Sequence, residues 1–274
     1  MEKLRVCFLG TGSMGSAVLE GLLASGHSKV LVSATTRSEA SAKKFRDMGI
    51  SAMATETVEE ANQLMAGDAD LIILGVKPYL ISQVLEEIQG EIGKNAVIIS
   101  MAGGITLETM AKGVPENPNL IRSMPNTPAL VGMGVTAVAA ASTASQAAID
   151  AAMELFSKVG ETILVEEKMI NPLSAISGSG PGWVFYIIEQ WEKIAIEQGF
   201  SQSDAKTLVR NTFWGSLELL KTSGEEPAEL RRKVTSPKGT TERIIETFDG
   251  ADLKGIFSAG LAAAVRRAEE IAKG

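Results

Sequence analysis

The sequence predicts an α/β fold: a doubly wound parallel sheet in the N-terminal part, joined to a C-terminal part built of helices alone. Three observations carry that expectation. Short apolar runs alternate with amphipathic segments through the first half of the 274 residues. The runs are apolar on consecutive positions, as in LIILGV and AVIISM, and such strands need cover on both faces, which is the condition of a parallel sheet flanked by helices. After about residue 166 the strand signal ends and the remaining text is helical.

LRVCFLG opens the series as a strand, and a helix follows over about 13–25. KVLVSA is the second strand, with a helix over about 38–47; a short strand at Ile50–Met53 leads to a helix over about 57–66. LIILGV, a helix over about 79–91, AVIISM, a helix over about 106–112 and NLIRSM complete five β-α steps and a sixth strand. GVTAVAA and ETILVE read as a further pair of strands around an Ala-rich helix at about 144–157. Beyond them come a short helix before SGSGPG, then helices over about 181–198, 202–223, 226–233, 240–248 and 252–273. The expected division is 1–165 for the sheet domain and 166–274 for the helical domain.

WVFYIIEQWEKIAI and LKGIFSAGLAAAVRRA are aliphatic on more than one face, and about 110 residues of helix make a thin bundle. A partner subunit is the expected cover.

A net charge of −7 argues against nucleic acid or an anionic membrane as a partner, because both demand a surplus of Lys and Arg. No window approaches the roughly 18 uncharged apolar residues of a membrane span, and the N-terminal run is too short for a secretory leader, so the default location is cytoplasmic. The single cysteine, Cys7, lies within a strand pattern and reads as a buried, inert thiol. The single histidine, His27, sits in the turn ASGHSK and reads as solvated. The chemistry therefore proceeds without a His base, a His-rich metal site or a Ser-His-Asp triad, and no metal is expected.

FLGTGSMG places Gly10, Gly12 and Gly15 in a G-x-G-x-x-G pattern after a strand and at the opening of a helix. Glycine is needed there for a tight turn, for close approach of backbone to a pyrophosphate and for helix-to-strand contact, with the N–H groups of the turn facing phosphate. The pattern defines a Rossmann-type dinucleotide site and makes Gly10, Thr11, Gly12, Ser13, Met14 and Gly15 candidate cofactor contacts. An NAD-specific site carries a carboxylate at the end of the second strand; this chain has Ser33, Thr35, Thr36 and Arg37, with no carboxylate until Glu39. Donors and a guanidinium suit a 2′-phosphate, so NADPH is the expected cofactor, with NADH possible. Val76, Lys77 and Pro78 follow the fourth strand, Ala102, Gly103 and Gly104 the fifth, and Asn126 stands in the proline-stiffened loop after the sixth. In open α/β sheets ligands lie at those strand ends.

With VKP, RSMPNTP, ISGSGPG and TSPKGTT in this order and spacing, the chain resembles the pyrroline-5-carboxylate reductases over essentially its whole length. The resemblance implies a Rossmann domain holding NAD(P)H and a helical domain that intertwines with its mate in a homodimer, with rings of dimers in some members. It implies hydride transfer to the C=N carbon of 1-pyrroline-5-carboxylate, a small-molecule substrate, giving L-proline. A cyclic imine takes its proton from solvent and enters as an electrophilic iminium, which explains a site without histidine.

By the same resemblance Thr241 supplies the catalytic hydroxyl near the ring nitrogen, while Ser236 and Thr240 lie in the loop that grips the substrate carboxylate. Physically that is a carboxylate at a helix N-terminus, with Gly239 allowing close approach. Ser179, in SGSGPG, is a further substrate contact. Taken alone, SPKGTTE is an ordinary helix start and SGSGPG a glycine turn between helices. The family more often has Gly-Gly after Ser-Pro, where this chain has Lys238: a φ above zero there would strain a lysine, and otherwise its ammonium attracts an anionic substrate. Asn62 is the only Asn near Thr55–Gln63, and it is left outside the site. A reductase of a six-membered piperideine-carboxylate and a non-catalytic NADP-binding sensor are the alternatives.

Overall fold

The computed structural model of the chain describes Met1 and residues 3–273, with side chains as far as residue 270. Eight strands form one sheet in the order β3-β2-β1-β4-β5-β6-β7-β8. They are β1 (Val6–Leu9), β2 (Val32–Thr36), β3 (Ser51–Ala54), β4 (Leu71–Leu74), β5 (Val97–Ser100), β6 (Leu120–Met124), β7 (Gly134–Ala140) and β8 (Gly160–Leu164). The first six are parallel; β7 runs antiparallel to β6, with Ile121 opposite Ala140, and β8 runs parallel to β7.

Helices α1 (Ser13–Ala24), α2 (Glu39–Asp47), α3 (Ala61–Ala66), α4 (Ile81–Ile88), α5 (Leu107–Gly113), α6 (Gln146–Ser157) and α7 (Ile170–Leu173) accompany the sheet. Serine and threonine start several of them: the Ser38, Thr106 and Ser145 hydroxyls each accept a first-turn N–H. Strand alternation divides the core between the two faces of the sheet. Val6, Phe8, Leu71 and Ile73 pack with Leu19, Leu22 and Phe156, whereas Cys7, Leu9, Ile72 and Leu74 pack with Ile81, Leu85 and Ile88. Burial pushes the Cys7 thiol up to about 12, so it stays protonated and unreactive.

Three local expectations change. Lys29–Leu31, read as the start of the second strand, is a 3-10 turn, and the strand begins at Val32. The third helix starts at Ala61 rather than near 57, since Thr57 and Val58 donate back to the Ala54 carbonyl as turns. His27 is not solvated: it is 7% exposed, held through the Leu4 backbone, and burial lowers its pKa.

The chain divides into two compact units, Met1–Ser179 with the final residues from Ala264, and Gly180–Ala263. The second is helical: α8 (Gly180–Glu197), α9 (Gln202–Ser223), α10 (Pro227–Lys233), α11 (Thr240–Gly250) and the first half of α12 (Leu253–Lys273). Within it Trp191 meets Phe213 edge to face at 5.2 Å, and Trp183 lies 5.8 Å from Phe257. Much apolar surface stays uncovered, with Trp214 75% and Phe185 66% exposed. Surface of that kind marks an association face. Among the described residues no helix is long and apolar enough to cross a membrane.

Candidate functional site

The turn after β1 is built by contact with the turn after β4. Gly10 has φ +74°, and a Cβ on it would lie 2.2 Å from Val76 Cγ1 and 2.9 Å from the Val76 nitrogen. Gly75 is equally constrained, since its Cβ would fall 2.9 Å from the Gly10 carbonyl oxygen. Two bare backbones therefore meet at the β1–β4 seam, and larger residues would force the strand ends apart. The Met101 methyl reaches both sides of this seam, 3.4 Å from a Cβ on Gly75 and 3.9 Å from one on Gly15. Gly12 differs: a Cβ there would meet nothing within 4 Å, so its face opens outward.

The hydrogen bonds of this turn sort its amides. Gly10 N–H donates to Thr35 Oγ1 at 3.0 Å, Thr11 N–H to the Thr35 carbonyl at 2.8 Å and Gly12 N–H to the Gly10 carbonyl at 2.9 Å. The N–H groups of Ser13, Met14 and Gly15, in the first turn of α1, have no acceptor among the described residues. That is the donor set an anion takes at a helix N-terminus, beside an open glycine face and the positive end of the helix dipole. A dinucleotide diphosphate fits it.

Of the residues expected at the 2′-phosphate, three have their hydroxyl protons engaged inside the protein. Ser33 donates to the Met65 carbonyl at 3.3 Å, Thr35 to Asn62 Oδ1 at 2.9 Å and Thr36 to the Ser38 carbonyl at 2.9 Å. Thr35 and Thr36 are also buried. The expectation of four ligand donors at this strand end narrows to exposed Arg37. Lys77 is exposed beside half-buried Val76 and Pro78; Ala102 is buried, and Gly103, half-buried, follows it in the loop after β5.

Asn126, expected to offer a donor and an acceptor to the cofactor, spends its donor and one lone pair of its acceptor inside the protein. Its amide donates to the Ser177 carbonyl at 3.1 Å and to Ser177 Oγ at 3.0 Å, and its Oδ1 accepts from Val135 N–H at 2.9 Å. Asn126 ties the loop after β6 to the segment 174–178, a π-helical turn. Gly178 completes the contact, since a Cβ there would sit 3.1 Å from the Met124 methyl. Ser179 is exposed just beyond.

A second tie lies on the same strand. Arg122, 4% exposed, donates to Glu167 Oε1 at 3.3 Å and to Asn171 Oδ1 at 3.2 Å. Glu167 Oε1 also accepts from Leu107 N–H at 2.7 Å, so one carboxylate serves both the guanidinium and the start of α5. Burial lowers the Arg122 pKa and the Glu167 charge opposes that shift.

In the helical unit, Ser236-Pro237-Lys238-Gly239 forms a turn in which Gly239 N–H donates to the Ser236 carbonyl at 2.9 Å. Proline at the second position and φ +59° at Lys238 define a type II turn. Lys238 N–H donates to Glu242 Oε2 at 2.7 Å, as the third residue of a helix often reaches back. Gly239 caps α11, and a Cβ on it would lie 2.4 Å from Ser236 Oγ. The N–H groups of Thr240 and Thr241 and the hydroxyls of Ser236, Thr240 and Thr241 have no protein partner among the described residues. This is a cluster of donors at a helix start, suited to a carboxylate.

Among the described residues no cluster of three His, Cys, Asp or Glu side chains could hold a metal ion. Sequence reasoning did not single out Gly75, Met101 or the Arg122–Glu167 pair, and it set Asn62 aside. A glycine directly after LIIL signals Gly75; the others leave no local signature.

The fold and these two donor sets define a nucleotide-dependent oxidoreductase of the α/β class with an appended helical association domain. A family model described as pyrroline-5-carboxylate reductase dimerisation matches residues 167–271, and one described as NADP oxidoreductase, coenzyme F420-dependent, matches residues 5–104. The chain is 33% identical over 272 residues to the pyrroline-5-carboxylate reductase of Corynebacterium melassecola, covering 98% of each. It superposes on a pyrroline-5-carboxylate reductase structure from Coxiella burnetii with a TM-score of 0.91 at 31% identity over 99% of both chains. A Plasmodium falciparum pyrroline carboxylate reductase, solved with NADP bound, gives 0.84 at 26% identity, again over 99% of both. The chain belongs to the pyrroline-5-carboxylate reductase family.

Proposed function

We propose that this chain reduces the C=N bond of 1-pyrroline-5-carboxylate to L-proline with NADPH. The observation that carries the reading is the presence of two unspent donor sets in a chain that matches a family member over 98% of its length: the Ser13–Gly15 amides and the Ser236–Thr241 turn.

NADPH, when bound, supplies the hydride. The chain's own residues bind and orient. The Ser13 and Met14 amides hold the diphosphate at the α1 terminus, and the outward face of Gly12 admits it. Arg37 neutralises the 2′-phosphate. Val76, Pro78, Ala102 and Gly103 wall the crevice at the strand ends. Ser236, Thr240 and the N-terminal amides of α11 grip the substrate carboxylate, and Thr241 directs its hydroxyl to the imine nitrogen; Ser179 is a further substrate contact. In this reading residues 1–165 carry the cofactor, and residues 166–274 carry the substrate turn and a homodimer that can build further into rings.

The test is oxidation of NADPH or NADH by purified protein with pyrroline-5-carboxylate and, separately, piperideine-carboxylate. The five-membered imine with NADPH is expected to give the highest kcat/KM. Cofactor binding without turnover on either imine would reduce the chain to a nucleotide-binding protein.

A further inference from the structure

We infer that Asn62 is a positioning residue of the cofactor site, acting through Thr35 on the diphosphate turn. The inference rests on the reading of that turn as the cofactor site. It is carried by a directional relay. Gln83 Nε2 donates to Glu87 Oε1 at 2.8 Å, Asn62 Nδ2 donates to Glu87 Oε2 at 2.9 Å, Thr35 Oγ1 donates to Asn62 Oδ1 at 2.9 Å, and Gly10 N–H donates to Thr35 Oγ1 at 3.0 Å.

The direction of each bond follows from the first. A carboxylate only accepts, so Glu87 fixes the amide of Asn62 with its nitrogen toward α4 and its oxygen toward β2. Asn62 Oδ1 then has to receive the Thr35 proton, and the lone pair left on Thr35 Oγ1 has to receive Gly10 N–H. Asn62 is 7% exposed and Thr35 fully buried, so water cannot replace either partner.

The relay sets which amides reach a ligand. Gly10 N–H is drawn down toward β2, and the Thr35 carbonyl holds Thr11 N–H at 2.8 Å. With these two engaged from below, the chain leaves the turn at Gly12 with the Ser13 and Met14 N–H groups unspent among the described residues. Without the Thr35 hydroxyl acceptor, half-buried Gly10 N–H loses its partner, and the turn gains a reason to rotate. Glu87 on α4 and Asn62 on α3 thereby contribute to cofactor affinity without touching the cofactor.

The experiment measures the NADPH dissociation constant by fluorescence in the absence of imine, together with imine KM and Tm, for Thr35→Val, Thr35→Ser, Asn62→Leu and the double variant Thr35→Val/Asn62→Leu. Thr35→Val and Asn62→Leu are each expected to weaken NADPH binding by about tenfold, with imine KM at saturating NADPH unchanged. Thr35→Ser keeps the hydroxyl and is expected to restore binding, and the double variant should be no weaker than the poorer single one. Variants that lose Tm but bind NADPH as the wild type does would overturn the relay, showing that it only holds the fold. A wild-type chain that does not bind NADPH would overturn the cofactor reading itself, and the relay with it.

Discussion

The side-chain amide of Asn126 donates to both the carbonyl and the hydroxyl oxygen of Ser177, at 3.1 and 3.0 Å. Four residues earlier on the same segment, Arg122 binds Glu167 and Asn171. The path from Glu167 to Ser177 is thus pinned to β6 and its loop at two points.

Replacing Asn126 with Ala leaves the Val135 N–H without its acceptor and frees Ser177 from its donor. A cost of about 1–3 kcal/mol is expected in urea unfolding. Asn126→Asp keeps an acceptor for Val135 but sets a buried carboxylate oxygen against the Ser177 carbonyl, so its loss should be the larger of the two. Cofactor preference stays as in the wild type in both.

Arg37→Ala is expected to raise KM for NADPH by roughly tenfold or more and to leave KM for NADH unchanged, because a charge-assisted contact to the 2′-phosphate is worth about 1.5–3 kcal/mol. Equal behaviour of the two cofactors in wild type and variant would remove Arg37 from the phosphate site.

Thr241→Ala should lower kcat by about a hundredfold, within the usual range for loss of a hydrogen-bonding group positioned at the reacting atom, with the NADPH dissociation constant unchanged. Thr241→Ser retains the hydroxyl and most of the rate. Full turnover by the Ala variant would take the role away from Thr241.

Lys238 occupies the third position of a type II turn with φ +59°, where glycine has no steric penalty. Lys238→Gly is expected to stabilise the protein by about 0.5–1 kcal/mol, the relief of left-handed strain exceeding the added entropy of an unfolded glycine. If the ammonium also attracts the anionic imine, KM for the imine rises in the same variant at low salt and converges with the wild type at high salt.

The glycine turn, the strand sequence and the helical second half are legible in the chain because each rests on local chemistry: periodicity, glycine spacing, caps. What residue type cannot tell is where a side chain spends its hydrogen bonds. Ser33, Thr35, Thr36 and Asn126 carry the right groups for a ligand, yet their donors go to Met65, Asn62, Ser38 and Ser177. Arg37 and the Ser236–Thr241 turn keep theirs, and only a folded chain separates the two cases. His27 shows the same limit from the other side, because a turn of small polar residues gives no sign that the Leu4 backbone lies across it.

The seam between β1 and β4 joins distant segments: Arg5 N–H reaches the Asp70 carboxylate across 65 residues of sequence. Closing so long a loop is entropically costly and slow compared with forming any one helix. Gly10 and Gly75 press together at that seam, so the nucleotide crevice comes into existence only when the slow pairing is complete. A chain without that pairing has nowhere to put a dinucleotide, so capture of NADPH during refolding is expected to follow closure of the seam.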